Sequence, residues 1–173
     1  MLKQIARSIC IAFLGSLFLG SGSLSWFKAT ASMEPSIKAG QKIGVDTEAY
    51  KALADVRRGD VIVFRYPESP KHVFVKRVIG LPGEKISVKQ DRILINGVPL
   101  ALSGQGETKT EQAGREKYGT QGSPACQGGE FADVAVPAGA VFVVGDNRCT
   151  SRDSRHWGSL QFSFIIGKVV AVG

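Results

Sequence analysis

The feature that most constrains the fold of this chain is a series of short β-branched runs after Ser32, each ended by turn residues. No part of this region has a helical periodicity long enough to predict a long helix. The dipeptide Asn96-Gly97 lies between two apolar runs and predicts a type I′ hairpin, because both central residues of that turn need positive φ. Gly80–Gly83 predicts a second tight turn. The pattern therefore predicts a mostly β fold, an open and coiled antiparallel β-domain.

Nine strands are predicted from the apolar runs. They lie at about Gln41–Asp46, Asp60–Arg65, His72–Ile79, Glu84–Lys89, Arg92–Ile95, Val98–Leu100, Val134–Val136, Val141–Val144 and Ile165–Val172. Thr47–Arg57 is predicted to form one short helix. Residues 103–130 are polar, contain several glycines and have no apolar run, so they predict a long loop or loosely ordered insertion.

Composition bounds the remaining choices. The chain has 173 residues and 43% hydrophobic content, enough for the core of one domain, assigned to residues 29–173. Its net charge of +7 comes from 22 Lys and Arg residues that are scattered and form no basic helix. This distribution argues against a nucleic-acid partner and favours attraction to the anionic headgroups of a lipid bilayer.

The cysteines and histidines predict neither a disulfide scaffold nor a metal site. There are three cysteines and two histidines, without Cys-x-x-Cys or His-rich spacing. Cys10 lies in the hydrophobic N-terminal segment, which leaves Cys126 and Cys149 as a candidate pair. The sequence does not decide whether they are bonded.

The N-terminal segment is uncharged from Ser8 to Phe27 and is flanked by basic residues. Its twenty residues are about the length that spans a bilayer, so residues 1–28 are predicted to be a single transmembrane helix with a short cytoplasmic tip. The basic end would stay in the cytoplasm, which places the rest of the chain outside the inner membrane. The alternative is a cleavable signal sequence, because Ala29-Thr30-Ala31 resembles a small-x-small cleavage site before Ser32.

Ser32 and Lys76 are a candidate nucleophile and a candidate base. A hydroxyl needs an adjacent base to act as a nucleophile, and a lysine can be that base if burial removes its proton. The neighbours of Lys76 are largely apolar, as this requires. A third polar segment, Gly145–Gly158, directly follows the apolar run Val141–Val144, where loops often carry catalytic groups.

Four segments together resemble the sequence boxes of the type I signal peptidases, membrane-bound proteases with a Ser-Lys dyad. They occur in the family's order, and with the hydrophobic N-terminus they cover most of the chain. The segments are Ser32–Ser36, Gly59–Phe64, Lys76–Glu84 and Gly145–Gly158.

This resemblance implies a role for each matching residue. Ser32 would attack the scissile carbonyl, and neutral Lys76 would take its proton. The Ser32 N–H and the Thr30 hydroxyl would hold the oxyanion. Ser151 matches the hydroxyl that orients the lysine. Two ion pairs are expected to support the site without touching substrate, Asp153 with Arg155 and Arg77 with Asp146. Ser36 is a weaker rival nucleophile, and no cofactor or metal is implied.

The implied substrates are exported precursors with small residues one and three positions before the cut, bound extended along a strand edge. A dedicated conjugative-transfer peptidase that matures a pilin would use the same chemistry. The self-cleaving repressors that share a Ser-Lys dyad fit less well, because they are cytoplasmic and carry a DNA-binding domain. A non-enzymatic membrane-anchored β-domain is the alternative from another class. The oligomeric state is not predicted.

Overall fold

The structure is a computed structural model that describes residues 24–89, 92–122 and 131–173. Fourteen strands and one short helix are present in these ranges. The strands are β1 Leu24–Lys28, β2 Lys42–Asp46, β3 Val61–Tyr66, β4 Ser69–Gly80, β5 Lys85–Lys89, β6 Arg92–Ile95, β7 Val98–Pro99, β8 Ala101–Ser103, β9 Thr108–Ala113, β10 Glu116–Gln121, β11 Phe131–Ala135, β12 Ala140–Val144, β13 Leu160–Gln161 and β14 Ile165–Val172, and the helix is α1 Ser154–Trp157. The mostly β prediction is confirmed.

The strands form three antiparallel sheets. The largest has seven strands in the order β1-β2-β14-β3-β4-β12-β13, and the others have the orders β11-β5-β6-β7 and β10-β9-β8. In the turn between β6 and β7, Asn96 has φ 51° and Gly97 has φ 80°, as the sequence predicts. Both residues lie in the left-handed region, which Asn and Gly tolerate best.

The large sheet is packed on both sides by apolar side chains. One cluster contains Met33, Ile37, Ile43, Val45, Val63 and Val75, and another contains Ile62, Phe64, Phe74, Val78, Val141 and Val143. Alternate residues of β3 thus enter different clusters, which agrees with the period of two of a strand. Strand β4 is the longest of the fourteen, and its second half is buried throughout, from Phe74 to Gly80. A side chain in this half of β4 is therefore held in a rigid and dry environment.

The prediction of a loop at 103–130 is wrong for residues 103–122, the part of this range that the structure describes. Strands β9 and β10 pair from Thr108↔Gln121 to Ala113↔Glu116 and form a hairpin, which we call the insertion hairpin. Its inward residues are Glu111, Ala113, Tyr118 and Thr120. Since three of these four are polar, the buried face has no apolar run to reveal it. Residues 123–130 of the insertion lie outside the described residues.

The predicted helix at Thr47–Arg57 is also wrong, because only Leu53–Asp55 forms a 3-10 turn there. Carboxylates compete for the backbone donors that a helix would use. Asp55 Oδ2 accepts hydrogen bonds from the N–H groups of Lys51 and Ala52, both at 2.8 Å. Side chains of this type stabilise turns at the expense of helices.

The predicted membrane anchor overlaps the β-domain by five residues. Leu24–Lys28 forms β1, whose full length pairs with β2, and Phe27 is buried in the core. The rest of the predicted anchor, residues 1–23, lies outside the described residues. Within the described ranges, no helix has the length and apolar character needed to cross a bilayer.

Candidate active site

Ser32 lies in a single 3-10 turn, Ala31–Met33, between β1 and β2. The next residue, Met33, is fully buried, and its side chain packs in the core and so holds this turn in place. Ser32 itself is only 3% exposed. The hydroxyl of Thr30 lies 3.4 Å from the hydroxyl of Ser32, so the two predicted site residues are neighbours in space as well as in sequence.

Lys76 lies in the buried half of β4 and is 1% exposed. Its Nζ is 2.7 Å from Ser32 Oγ and 2.9 Å from the carbonyl oxygen of Val75. The ring of Phe74 lies 5.2 Å from the same nitrogen. The fold therefore brings the amine and the hydroxyl, far apart in sequence, to hydrogen-bond distance.

Burial lowers the pKa of Lys76 to about 8, because the apolar surroundings disfavour the ammonium form. Asp153 and Asp146 act in the opposite direction, whereas Arg155 acts with burial. With a pKa of 8, roughly one lysine in ten is neutral at pH 7. The amine can therefore accept a proton at physiological pH. An ordinary lysine is almost wholly protonated at that pH and has no free amine to accept one.

A polar loop, residues 145–153, begins where β12 ends and packs directly against the Ser32 turn. We call it the active-site loop. Its first residue, Gly145, leaves no room for a side chain: an added Cβ would lie 2.2 Å from Ser151 Oγ and 2.5 Å from Ser32 O. Glycine is thus required by close packing between the loop and the turn.

Asp153 is fully buried and organises the active-site loop. Its carboxylate accepts hydrogen bonds from Gly145 N at 2.9 Å, from Ser151 Oγ at 2.6 Å and from Arg155 Nε at 2.8 Å. Burial alone would raise the pKa of Asp153, but the Arg155 guanidinium and these hydrogen bonds together lower it. Asp153 is therefore ionised at neutral pH, as the hydrogen-bond donors around it require.

A second buried ion pair joins the active-site loop to β4. Arg77 donates from Nε and from Nη2 to the two carboxylate oxygens of Asp146, at 2.9 and 2.7 Å. Arg77 also donates to Gly59 O at 2.8 Å. Because Arg77 is adjacent to Lys76, this pair fixes the loop relative to the strand that carries the amine.

Neither histidine makes a hydrogen bond with Ser32 in the described part of the chain. His72 Nδ1 lies 3.0 Å from Ser69 Oγ, and His156 Nδ1 accepts a hydrogen bond from Asp153 N at 3.3 Å. The described residues also contain no group of three or more His, Cys, Asp or Glu side chains that could hold a metal ion. The arrangement suits proton transfer between an amine and a hydroxyl.

Comparison with known proteins decides the family. Residues 2–173 match the family described as signal peptidase, peptidase S26. The chain belongs to this family. The signal peptidase I of Bacillus caldolyticus is 33% identical to it over 168 residues, which cover 94% of this chain and 84% of that protein. The signal peptidase I of Leptolyngbya laminosa is 34% identical over 176 residues, which cover 98% and 76%.

A solved structure from the same family is also similar to this chain. It is the crystal structure of a signal peptidase I from Enterococcus faecalis V583, with a TM-score of 0.46 and 28% sequence identity. The match covers 66% of this chain and 97% of the solved chain.

In this member of the signal peptidase family, the Ser151 hydroxyl donates to Asp153. Among the described residues, Lys76 donates to Ser32 and to Val75. The orientation of Lys76 by Ser151 therefore stays a prediction. The contact that the structure shows places Ser151 in the framework of the active-site loop.

The insertion hairpin contributes to this peptidase site, although the sequence does not predict it. Glu111 accepts hydrogen bonds from Tyr118 Oη at 2.6 Å and from two nitrogens of Arg148, at 3.2 and 2.5 Å. The Tyr118 ring stacks 3.8 Å from the guanidinium carbon of Arg77. No motif marks Glu111 or Tyr118, because both lie in a polar segment outside the four family segments.

Cys149 is disulfide-bonded, and it is the only cysteine among the described residues. Cys126, its candidate partner, lies outside those residues. The bonded cysteine is an exposed residue of the active-site loop.

Proposed function

We propose that Ser32 and Lys76 form the catalytic dyad of a serine endopeptidase that removes signal peptides. Membership of the signal peptidase family makes the chain a peptidase of this kind. The observation that supports the dyad is the 2.7 Å contact between Ser32 Oγ and the buried Lys76 Nζ. A nucleophile and its base must lie at this separation for the proton to move between them.

In the proposed reaction, neutral Lys76 takes the proton of Ser32 as Oγ attacks the scissile carbonyl. The resulting ammonium then gives this proton to the leaving amine, and the signal peptide remains as an ester on Ser32. Water next attacks the ester while Lys76 accepts a proton from the water, which gives a second tetrahedral intermediate. Its breakdown releases the signal peptide, and the Lys76 ammonium returns the proton to Ser32 Oγ.

The oxyanion of both intermediates is proposed to be held by the Ser32 N–H and the Thr30 hydroxyl. The 3.4 Å distance between the Thr30 and Ser32 hydroxyls supports this assignment. Asp146, Arg77, Asp153 and Arg155 are proposed to hold the active-site loop through their two buried ion pairs. Donors fixed in advance stabilise a developing charge without a cost of reorganisation.

The proposed substrates are exported precursors with small residues one and three positions before the cleaved bond, bound in an extended conformation. We propose that the apolar segment before β1 anchors the enzyme in the inner membrane, with the β-domain outside the cytoplasm. Anchoring would raise the effective concentration of membrane-bound precursors around the site.

The experiment that tests this function uses the purified full-length chain and a precursor with an Ala-x-Ala cleavage site. The wild-type chain is expected to cut after the second alanine, and Ser32→Ala is expected to leave the precursor intact. Ser36→Ala serves as the matched control, because Ser36 Oγ donates to Gly119 O and not to Lys76. Cleavage by Ser32→Ala, or loss of cleavage only in Ser36→Ala, would refute the assignment of the nucleophile.

The pH dependence of kcat/KM is expected to follow the ionisation of Lys76. Since only the neutral amine can accept the proton, kcat/KM should rise about tenfold per pH unit below the pKa of about 8 and level off above it. A peptide substrate without ionisable side chains near the cut isolates the ionisation of the enzyme. A flat profile between about pH 6 and 9 would contradict the role of Lys76.

Thr30→Val is expected to slow turnover by about 10²- to 10³-fold, the usual cost of losing one oxyanion donor. Valine has nearly the same shape as threonine, and Thr30 is only partly buried, so the fold should persist. Thr30→Ser keeps the hydroxyl and should retain most of the activity. Equal kcat values for the valine and serine variants would show that the hydroxyl does not contribute.

A further inference from the structure

Asn147, in the active-site loop, contacts the peptide groups on both sides of Ser32. Its side-chain Nδ2 donates to Ala31 O at 3.2 Å, and its backbone N–H donates to Ser32 O at 3.1 Å. The residue is 4% exposed. One buried residue therefore holds both carbonyl groups that flank the nucleophile.

The first of these contacts bears on the oxyanion donor. The Ala31 carbonyl and the Ser32 N–H belong to a single planar peptide unit and point in opposite directions. A donor that holds the carbonyl oxygen therefore also fixes the direction of the N–H group. The second contact fixes the peptide plane after Ser32. Together the two planes determine φ and ψ of Ser32, and so the direction in which its Cα–Cβ bond leaves the backbone.

The orientation of the Asn147 amide is set by its own surroundings. Its Oδ1 accepts a hydrogen bond from Thr150 N at 3.4 Å, which directs Nδ2 towards Ala31 O. The opposite orientation would place two oxygens together at Ala31 and two donors together at Thr150. The backbone of the loop is held as well, because Gln121 of β10 accepts from Arg148 N at 2.8 Å and donates to Asp146 O at 3.0 Å.

The Ala31 carbonyl has a second donor, the N–H of Glu34 at 3.2 Å, which closes the 3-10 turn. That bond lies within the turn, and hydrogen bonds in 3-10 turns generally have poorer geometry than those in α-helices. The contact from Asn147 comes from a separate part of the chain that is tied to β4 and to the insertion hairpin. It therefore sets the turn relative to the rest of the site, which a bond within the turn cannot do.

We infer that Asn147 is a positioning residue for the oxyanion site, and that its side-chain amide holds the Ser32 N–H in the direction of the developing negative charge. This inference rests on the proposed function. Asn147 does not touch the reacting atoms, so its loss should weaken stabilisation of the tetrahedral intermediate and leave the binding of uncleaved substrate unchanged.

The test compares Asn147→Asp and Asn147→Ala with the wild-type chain. Aspartate has the shape of asparagine but replaces the Nδ2 donor with an acceptor, and alanine removes the side-chain contact. Both variants keep the backbone bond to Ser32 O. Thr150→Ala is the matched control, because Thr150 is an exposed residue of the same loop and contributes only its backbone N–H.

Two peptide ligands separate a role in positioning from general damage. A peptide aldehyde forms a tetrahedral hemiacetal with Ser32, and its oxygen occupies the oxyanion site. A peptide with a reduced scissile bond binds in the same groove but has no carbonyl to be attacked. Both Asn147 variants are expected to lower kcat and aldehyde affinity in parallel, by about 10- to 100-fold, with reduced-bond affinity within about twofold of wild type.

Equal losses of affinity for the two peptides would overturn the inference, because they would show a distorted groove. An unchanged kcat in both variants would overturn it as well. The aspartate also adds a negative charge to the site, which alanine does not. A pH profile that shifts in Asn147→Asp but not in Asn147→Ala therefore reports the added charge and not the loss of the donor. Failure of the proposed function would be distinct, because the wild-type chain itself would then not cut the precursor.

Discussion

Lys76→Arg is expected to reduce kcat/KM by about 10⁴-fold, the upper end of what a general base contributes. Arginine keeps the positive charge and most of the side-chain length, but its guanidinium does not lose a proton at any pH at which the protein is folded. If Lys76 acted only by attracting the substrate or the oxyanion, arginine would retain much of the activity. The substitution therefore separates a proton acceptor from a fixed charge.

Lys76→Met should be equally inactive but more stable than the wild-type chain. The pKa of Lys76 is about 8 in the folded chain, below its ordinary value of 10.5, so the unfolded chain binds the proton more tightly. At pH 7 this difference lowers the free energy of unfolding by about 3 kcal/mol. Methionine does not ionise, so Lys76→Met would not be destabilised in this way. Lys76→Arg buries a permanent charge and should be the least stable of the three.

The pH dependence of stability checks the same point independently of activity. Below pH 8 the lysine is protonated in both states, and its cost to folding is constant. As the pH rises from 8 towards 10.5, the folded state loses its proton before the unfolded state does. The free energy of unfolding of the wild-type chain should therefore increase relative to that of Lys76→Met. Denaturant unfolding at several pH values measures this, and parallel curves for the two proteins would contradict a depressed pKa.

The sequence predicts the two proposed reacting groups because they lie in segments with their own local pattern. Ser32 lies in a Ser-Met-Glu-Pro segment, and Lys76 lies in an apolar strand, so both the residue type and its surroundings can be read from the chain. The observed β4, Ser69–Gly80, contains the predicted strand His72–Ile79, and β14 agrees with its prediction at both ends. Both segments are rich in β-branched residues and are bounded by turn residues, the pattern that is typical of a strand.

The insertion hairpin, which the sequence did not predict, is stabilised by polar contacts between distant segments. In the insertion hairpin, Glu111 is 2% exposed, yet by type alone it would be placed on the surface. Its partner, Arg148, comes from the active-site loop, far along the chain. The last five residues of the predicted anchor form β1, which pairs with β2 and places Phe27 in the core of the β-domain.

These polar contacts form a continuous connection between the insertion hairpin and the proposed dyad. Glu111 binds Arg148, Tyr118 stacks on Arg77, and Arg77 pairs with Asp146 next to Asn147. The Pro35↔Thr120 and Gln121↔Asn147 bridges add backbone contacts at the same place. Three separate segments therefore enclose the Ser32 turn: β4, the active-site loop and the hairpin. The rigidity that the reaction needs is supplied in part by residues outside the family segments.

Glu111→Ala is expected to lower the free energy of unfolding by about 3–5 kcal/mol, the usual cost of removing one partner from a buried ion pair. The side chains of Glu111 and Arg148 are 3% and 12% exposed, so Arg148 would be left largely buried without its counter-charge. Tyr118 would also lose the acceptor of its hydroxyl. Since the hairpin contacts the active-site loop, kcat should fall in the same variant even where the protein remains folded.

Glu107→Ala is the matched control, because Glu107 is an exposed residue just before β9 and its substitution should change stability by no more than about 0.5 kcal/mol. The double variant Glu111→Leu with Arg148→Met removes both charges and should recover part of the lost stability, because no unpaired charge is then buried. Urea unfolding of the wild-type chain, Glu111→Leu, Arg148→Met and the double variant measures the coupling between the two residues. If Glu111→Ala were as stable as Glu107→Ala, the ion pair would not be what holds the hairpin against the site, and the backbone bridges at Thr120 and Gln121 would have to be sufficient.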